Sequence, residues 1–146
     1  MVALAGKGDT FENDVLKLIF NATNISLIAD NTATTPLTNL YVSLHTADPT
    51  EAGSQTTSEC TYTGYARIAV ARTSGGWTVT TNSVSPAAAI TFGTCTAGSE
   101  IATFAAVGTA VSGTGKLLYG GAMSPTIVIS AGVTPQLTTS TVISEG

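Results

Sequence analysis

From residue 40 onward the chain is a succession of short apolar runs broken by Gly, Pro, Asp and Ser. Their spacing of roughly ten residues is the signature of an all-β sandwich or barrel. The expected strands are Leu40–Thr46, Gly64–Arg72, Trp77–Asn82, Ala87–Phe92, Ile101–Val111, Leu117–Ala122, Thr126–Ser130 and Leu137–Ile143. In the first, Leu40, Val42 and Leu44 alternate with Tyr41, Ser43 and His45, so one face is buried and the other is wet or in contact. In the second, Ala66, Ile68 and Val70 are expected to point inward and Tyr65, Arg67, Ala69 and Ala71 outward. No internal repeat of 20–50 residues is present, which removes solenoids and propellers.

The first 39 residues read differently. Asp9 can N-cap a helix over residues 9–22, with Glu12 three positions on as in a capping box and Asp14 also near the positive end of the helix dipole. Phe11, Val15, Leu18, Ile19 and Ala22 follow helical spacing and predict the docking face. About 14 residues make a marginal helix in isolation, so that face must pack on its own chain or on a neighbouring subunit. A short strand around Ile25–Ile28 and a turn-rich connection follow. The expected organisation is a helix and connecting arm over 1–39 and a β-sandwich over 40–146.

Composition narrows the function. Only 10% of the residues are charged, against ~25% in ordinary domains, and Thr alone makes up roughly a fifth of the chain, as suits β-structure. Five basic residues and a net charge of −4 exclude nucleic acid as the main partner and a polybasic membrane anchor. No apolar run approaches the ~20 residues of a membrane span, and MVALAGKGDTF lacks the pattern of a signal peptide. A soluble protein without its own export signal is expected.

Candidate chemistry is sparse. His45, the single histidine, has Ser43 on the same side of its strand, but no nucleophile elbow or oxyanion-hole motif accompanies the pair. It reads as a half-exposed strand histidine bonded to a neighbour. Metal binding needs three or four convergent ligands, and the calcium-loop pattern is absent, so neither metal nor cofactor is expected. VSGTGKLLYGG is not a phosphate loop, because Ala110 and Leu117 stand where Gly and Ser or Thr are required; it reads as a hairpin turn. Cys60 and Cys95 are too far apart for a CxxC motif. They read as buried free thiols, a disulfide requiring Cα atoms within ~7 Å. Tyr62, Tyr65 and Trp77 either fill the edge of the core or stack on sugars, and Glu51 or Glu59 would be the acids of a glycan hydrolase.

Residues 47–63, ADPTEAGSQTTSECTYT, exceed the ~12–15 residues that compact domains normally leave without secondary structure. They carry Asp48, Glu51 and Glu59. Such a loop is either a solvated flap or the principal contact element.

The segments LYVSLHTADPTEAG, YTGYARIAVAR followed by Trp77, AAAITFGTCTAG and GTGKLLYGGAMSPTIVISAGVTPQL together resemble a family of small virion proteins of tailed bacteriophages, described as tail-fibre or as capsid decoration (cement) proteins. The resemblance runs from residue 40 to about 137. It implies an antiparallel, jelly-roll-like β-sandwich without enzymatic activity, to which the residues themselves add one short N-terminal helix. It further implies assembly in the host cytoplasm onto the exterior of the capsid, as a homo-oligomer (dimer or trimer) bound to the major capsid protein. The alternative is a tail-fibre or spike module that binds a host-surface glycan. The expected capsid or subunit contacts are Phe11, Val15 and Leu18 on the helix and Asp48, Glu51 and Glu59 in the long loop, whereas the alternative would use Trp77 and exposed tyrosines.

Overall fold

The computed structural model describes residues 9–25 and 36–145. They form antiparallel sheets and a single short helix, as the all-β sandwich class requires. The chain divides into two compact units, one holding the helix with residues 71–88 and 138–145, the other residues 39–70 and 89–137.

In the first unit, α1 (Asp9–Asn21) packs on β3 (Trp77–Thr80) and β4 (Ser83–Pro86), with β9 (Ile143–Ser144) pairing β4. The buried helical face is Glu12, Leu16 and Phe20, while Val15, Leu18 and Ile19 are only half-buried. The expected stripe is therefore rotated. What sets the rotation is Trp77, whose ring meets Phe20 edge-on at 4.7 Å between centroids; the largest apolar pair defines the docking face. The side chains of Asp9 and Phe11, and Ile28 of the expected second strand, lie outside the described residues. α1 ends at Asn21, and Ala22 just beyond it takes a left-handed φ of 53°, a conformation usually left to glycine at this position. No basic residue occupies the last turn. Arg72 supplies the missing cation from elsewhere in the chain, donating to the carbonyls of Leu18 (2.7 Å), Ile19 (2.6 Å) and Leu37 (2.7 Å). It satisfies two orphan acceptors and complements the negative end of the dipole.

The second unit is built on a four-stranded sheet of order β2-β1-β6-β7, where β1 is Asn39–His45, β2 Ile68–Ala71, β6 Glu100–Gly108 and β7 Leu117–Ile129. A two-stranded ribbon of β5 (Ile90–Thr91) and β8 (Gln136–Leu137) accompanies it. Tyr65 links the two sheets: its ring stacks on Phe92 at the end of β5, and its hydroxyl accepts the Leu44 N–H of β1 at 3.1 Å. Leu40, Val42 and Leu44 are buried as the alternation predicts. The VSGTGKLLYGG stretch is the β6–β7 turn, closed by the Thr109 N–H on the Lys116 carbonyl at 3.1 Å.

Several strands differ from expectation. Phe104 pairs with Ala122 but Ala102 with Ile127, so residues 123–126, with the cis Ser124–Pro125 bond, bulge out of one continuous β7. That bulge is why the sequence reads as two strands there. Residues 64–67 are not strand, and Arg67 is buried while Ala66 is exposed, because the guanidinium has partners inside. β4, reading Ser-Val-Ser-Pro, looks like a turn and pairs only because Trp77 opposes Pro86 in register. Leu137–Ile143 resolves into β8 and β9, which belong to different sheets.

Phe20→Ala is expected to lower the unfolding free energy by ~3–5 kcal/mol through the cavity left against Trp77. Urea denaturation measures this; a loss below ~1 kcal/mol, the range of a surface change, would show that the helix face is not packed as described.

Candidate functional site

The chemistry of the second unit gathers beneath the 47–63 loop. Ser43 and His45 leave β1 on the face opposite Leu44, and both are fully buried, covered by this loop. The loop holds its shape through short-range bonds. Asp48 Oδ1 accepts the Thr50 N–H (2.8 Å), Thr57 Oγ1 accepts the Ser54 N–H (3.0 Å), and the Thr57 N–H reaches the Ser54 carbonyl (3.1 Å). Asx and ST turns of this kind let a segment without regular structure satisfy its own backbone.

Gln55 fastens the loop to the sheet. Its Oε1 accepts the Ala110 N–H (2.8 Å), its Nε2 donates to the Tyr41 carbonyl (3.4 Å), and its own N–H donates to the Gly115 carbonyl (3.1 Å). Gly108 and Gly115 make room for it, since a Cβ on either would overlap the Gln55 side chain. His45 makes a second fastening. Nδ1 lies 2.8 Å from the Thr57 carbonyl and Nε2 2.9 Å from Ser43 Oγ. A carbonyl can only accept, so Nδ1 carries the proton and bare Nε2 receives the serine hydroxyl. Burial pushes the His45 pKa below its ordinary value, the Thr57 bond opposing.

The third fastening is ionic. Glu59 Oε1 accepts from Arg67 Nε (2.7 Å) and from the Tyr65 hydroxyl (2.8 Å), and Oε2 from an Arg67 terminal nitrogen (2.8 Å). The same guanidinium donates to the carbonyls of Ala110 (2.9 Å) and Gly113 (2.8 Å) in the β6–β7 turn. The two side chains are 3% and 14% exposed for Arg67 and Glu59. Glu59 bonding raises the Arg67 pKa further, burial opposing it. Nearby, the Glu100 carboxylate collects the Thr61 N–H through both oxygens (3.0 Å each), the Thr61 hydroxyl (2.9 Å) and the Tyr62 N–H (3.3 Å).

The thiol of Cys60 and the phenols of Tyr62 and Tyr65 are biased toward their protonated forms. Burial, helped by Glu100, pushes the Cys60 thiol up to about 12, and Tyr62 is likewise pushed up to about 12 by burial first. Burial carries Tyr65 higher still, against the Leu44 hydrogen bond. Cys60 and Cys95 are free and buried. Ser43 and His45 are in hydrogen-bond contact, but His45 turns its other nitrogen to a carbonyl instead of a carboxylate, and neither side chain reaches solvent. The half-exposed histidine expected from the strand pattern is in fact an internal fastener, because the loop closes over it. Among the described residues no group of three His, Cys, Asp or Glu side chains is placed to hold a metal, and no helix is long and apolar enough to cross a membrane.

Of the residues singled out from sequence, Asp48 and Glu51 stand exposed in the loop, and Glu59 is committed to Arg67. Val15 and Leu18 are half-buried on α1, and the Phe11 side chain lies outside the described residues. Trp77 is 1% exposed, so it cannot stack on a sugar. Arg67, Gln55 and Glu100 were not singled out. An Arg eight residues from a Glu in a chain so poor in charge is the signal for the first; Gln55 and Glu100 carry none.

Arg67 is buried, and Glu59, Glu100 and Arg72 are half-buried and engaged in hydrogen bonds within the chain. Two of the five basic residues, Arg67 and Arg72, bond internal carbonyls. Ile101 and Val128, partners across β6 and β7, are 50% and 65% exposed, and Val111 at the hairpin tip is 62% exposed. Residues 7–144 match the family model described as podophage GP4 fiber I protein gp80. No curated protein matches the chain.

Glu59→Gln and Arg67→Met are each expected to cost ~3–5 kcal/mol, because each strands a buried partner. The double variant should cost less than the sum by at least ~1 kcal/mol; strict additivity in the cycle would mean the ion pair contributes nothing specific. Both thiols should resist an aromatic disulfide reagent at pH 8 in the native protein and react fully in denaturant, whereas native-state reaction of either would contradict their burial.

Proposed function

The chain belongs to the podophage GP4 fiber I protein gp80 family and is a structural protein of a phage particle, and we propose that it acts there as a non-catalytic adhesive subunit. In this reading it binds the major capsid protein from the exterior of the shell, as a homo-oligomer, and decorates or cements the capsid. The observation that carries the proposal is that Arg67, Arg72, Glu59 and Glu100 are committed to hydrogen bonds within the chain, Arg67 buried and the other three half-buried. It leaves a Thr-rich β surface that a neighbour can cover without desolvating isolated ions, which is the costly component of interface formation. Each copy bound to the closed shell and not to an opened one would stabilise the particle by linkage. Asp48 and Glu51, at the exposed rim of the loop, are the charged contacts this reading uses.

A second reading is favoured by the family's description as a fibre protein: a fibre or spike module that binds a host-surface glycan. Since Trp77 is buried, its sugar platform would lie elsewhere than the residue first suggested.

Copy number separates the two. Quantitative mass spectrometry of purified particles is expected to find on the order of hundreds of copies for a shell component, against on the order of ten for a symmetric tail appendage. Deleting the protein is expected to lower the heat and osmotic resistance of particles; unchanged resistance together with low copy number would remove the capsid reading.

A further inference from the structure

The loop that carries the exposed acids is fastened by a buried histidine. His45 sits on the last residue of β1 with both ring nitrogens engaged, one by the strand (Ser43) and one by the loop (Thr57). The flanking backbone repeats the closure. The Thr46 N–H reaches the Ser58 carbonyl at 2.8 Å, and the Cys60 N–H reaches the Leu44 carbonyl at 2.9 Å. The groups facing the ring are the neutral Ser43 hydroxyl from β1, the Thr57 carbonyl and Glu59 from the loop, Arg67 beyond Glu59, and from β6 the apolar register partner Phe104. Glu59 lies near enough to favour a charged ring, but its oxygens already take three hydrogen bonds from Tyr65 and Arg67, and burial and the Arg67 guanidinium act against that charge.

We propose that the 47–63 loop is an acid-releasable flap, latched by neutral His45. A proton added at Nε2 takes the position of the Ser43 hydroxyl hydrogen, so that bond is lost or must reverse. It also creates a buried imidazolium beside the Arg67 guanidinium, with the Glu59 carboxylate that favours it already shared with Arg67 and Tyr65. Opening the loop hydrates the ring and removes both penalties. The sign follows from linkage: the open state, with an ordinary histidine, binds the proton more readily than the closed state, so opening becomes easier as pH falls. In the open state, the surface bearing Asp48 and Glu51 is no longer fixed against the sheet, which alters what a neighbouring protein meets. The inference stands on the loop geometry and does not depend on where in the particle the protein resides.

Amide hydrogen exchange on the full-length protein tests it, with rates corrected for the intrinsic effect of pH. Protection of the Thr46 and Cys60 amides should fall about tenfold per pH unit below ~6.5, while the amides joining β6 to β7 keep theirs. In His45→Gln the loop protection should be flat over pH 5–7.5. Constant loop protection in the wild type over that range, or an equal fall in His45→Gln, would overturn the proposal. Should that variant not fold, ring-nitrogen NMR of the wild type decides the matter. The same midpoint for His45 titration and loop opening supports the latch, and a ring that titrates while the loop stays protected refutes it.

Discussion

The Arg67–Glu59 pair is the constraint on which the second unit depends. A guanidinium at 3% exposure is tolerable only if its donors are satisfied, since a buried charge with missing partners costs several kcal/mol. All three of its nitrogens are engaged. Those partners come from segments far apart in the chain: Glu59 ends the long loop, and Ala110 and Gly113 form the β6–β7 turn. Satisfying one side chain therefore folds both segments. Tyr65 joins through its bond to Glu59 and carries the order on to Phe92.

Arg72 repeats the principle in the first unit. It stands one residue after β2 as Arg67 stands one residue before it, and it closes the end of α1 by bonding carbonyls there. In a chain with so few charges, both arginines fasten carbonyls of their own chain, Arg67 buried and Arg72 half-buried.

Much of the framework was legible. Leu40, Val42 and Leu44 announce a half-buried strand because side chains alternate with period two, and Trp77, with its Thr-Val-Thr continuation, announces another. The helix over Asp9–Asn21 was readable from spacing and capping. The buried helical face was not, because the choice between Val15 and Leu16 as its centre depends on where the Trp77 ring sits. Ser43 and His45 could be assigned to the second face of β1, yet whether that face met water or protein depended on the conformation of a seventeen-residue loop. The fastening residues were the least legible: Gln55 is one polar residue among many, and only the absence of a Cβ at Gly108 and Gly115 makes its place.

The sequence by itself determined the antiparallel β class, the scarcity of charge, the turn at residues 109–116 and the position of the helix, because these rest on local periodicity, propensity and composition. The tertiary structure alone decided which charges disappear inside, which face of the helix docks, and that the 47–63 loop is closed over His45. Those outcomes turn on contacts between residues such as Glu59, Arg67 and Gly113, or Leu18 and Arg72, whose separation along the chain hides them from any local pattern. A buried polar group reveals its role only when its partners are in place.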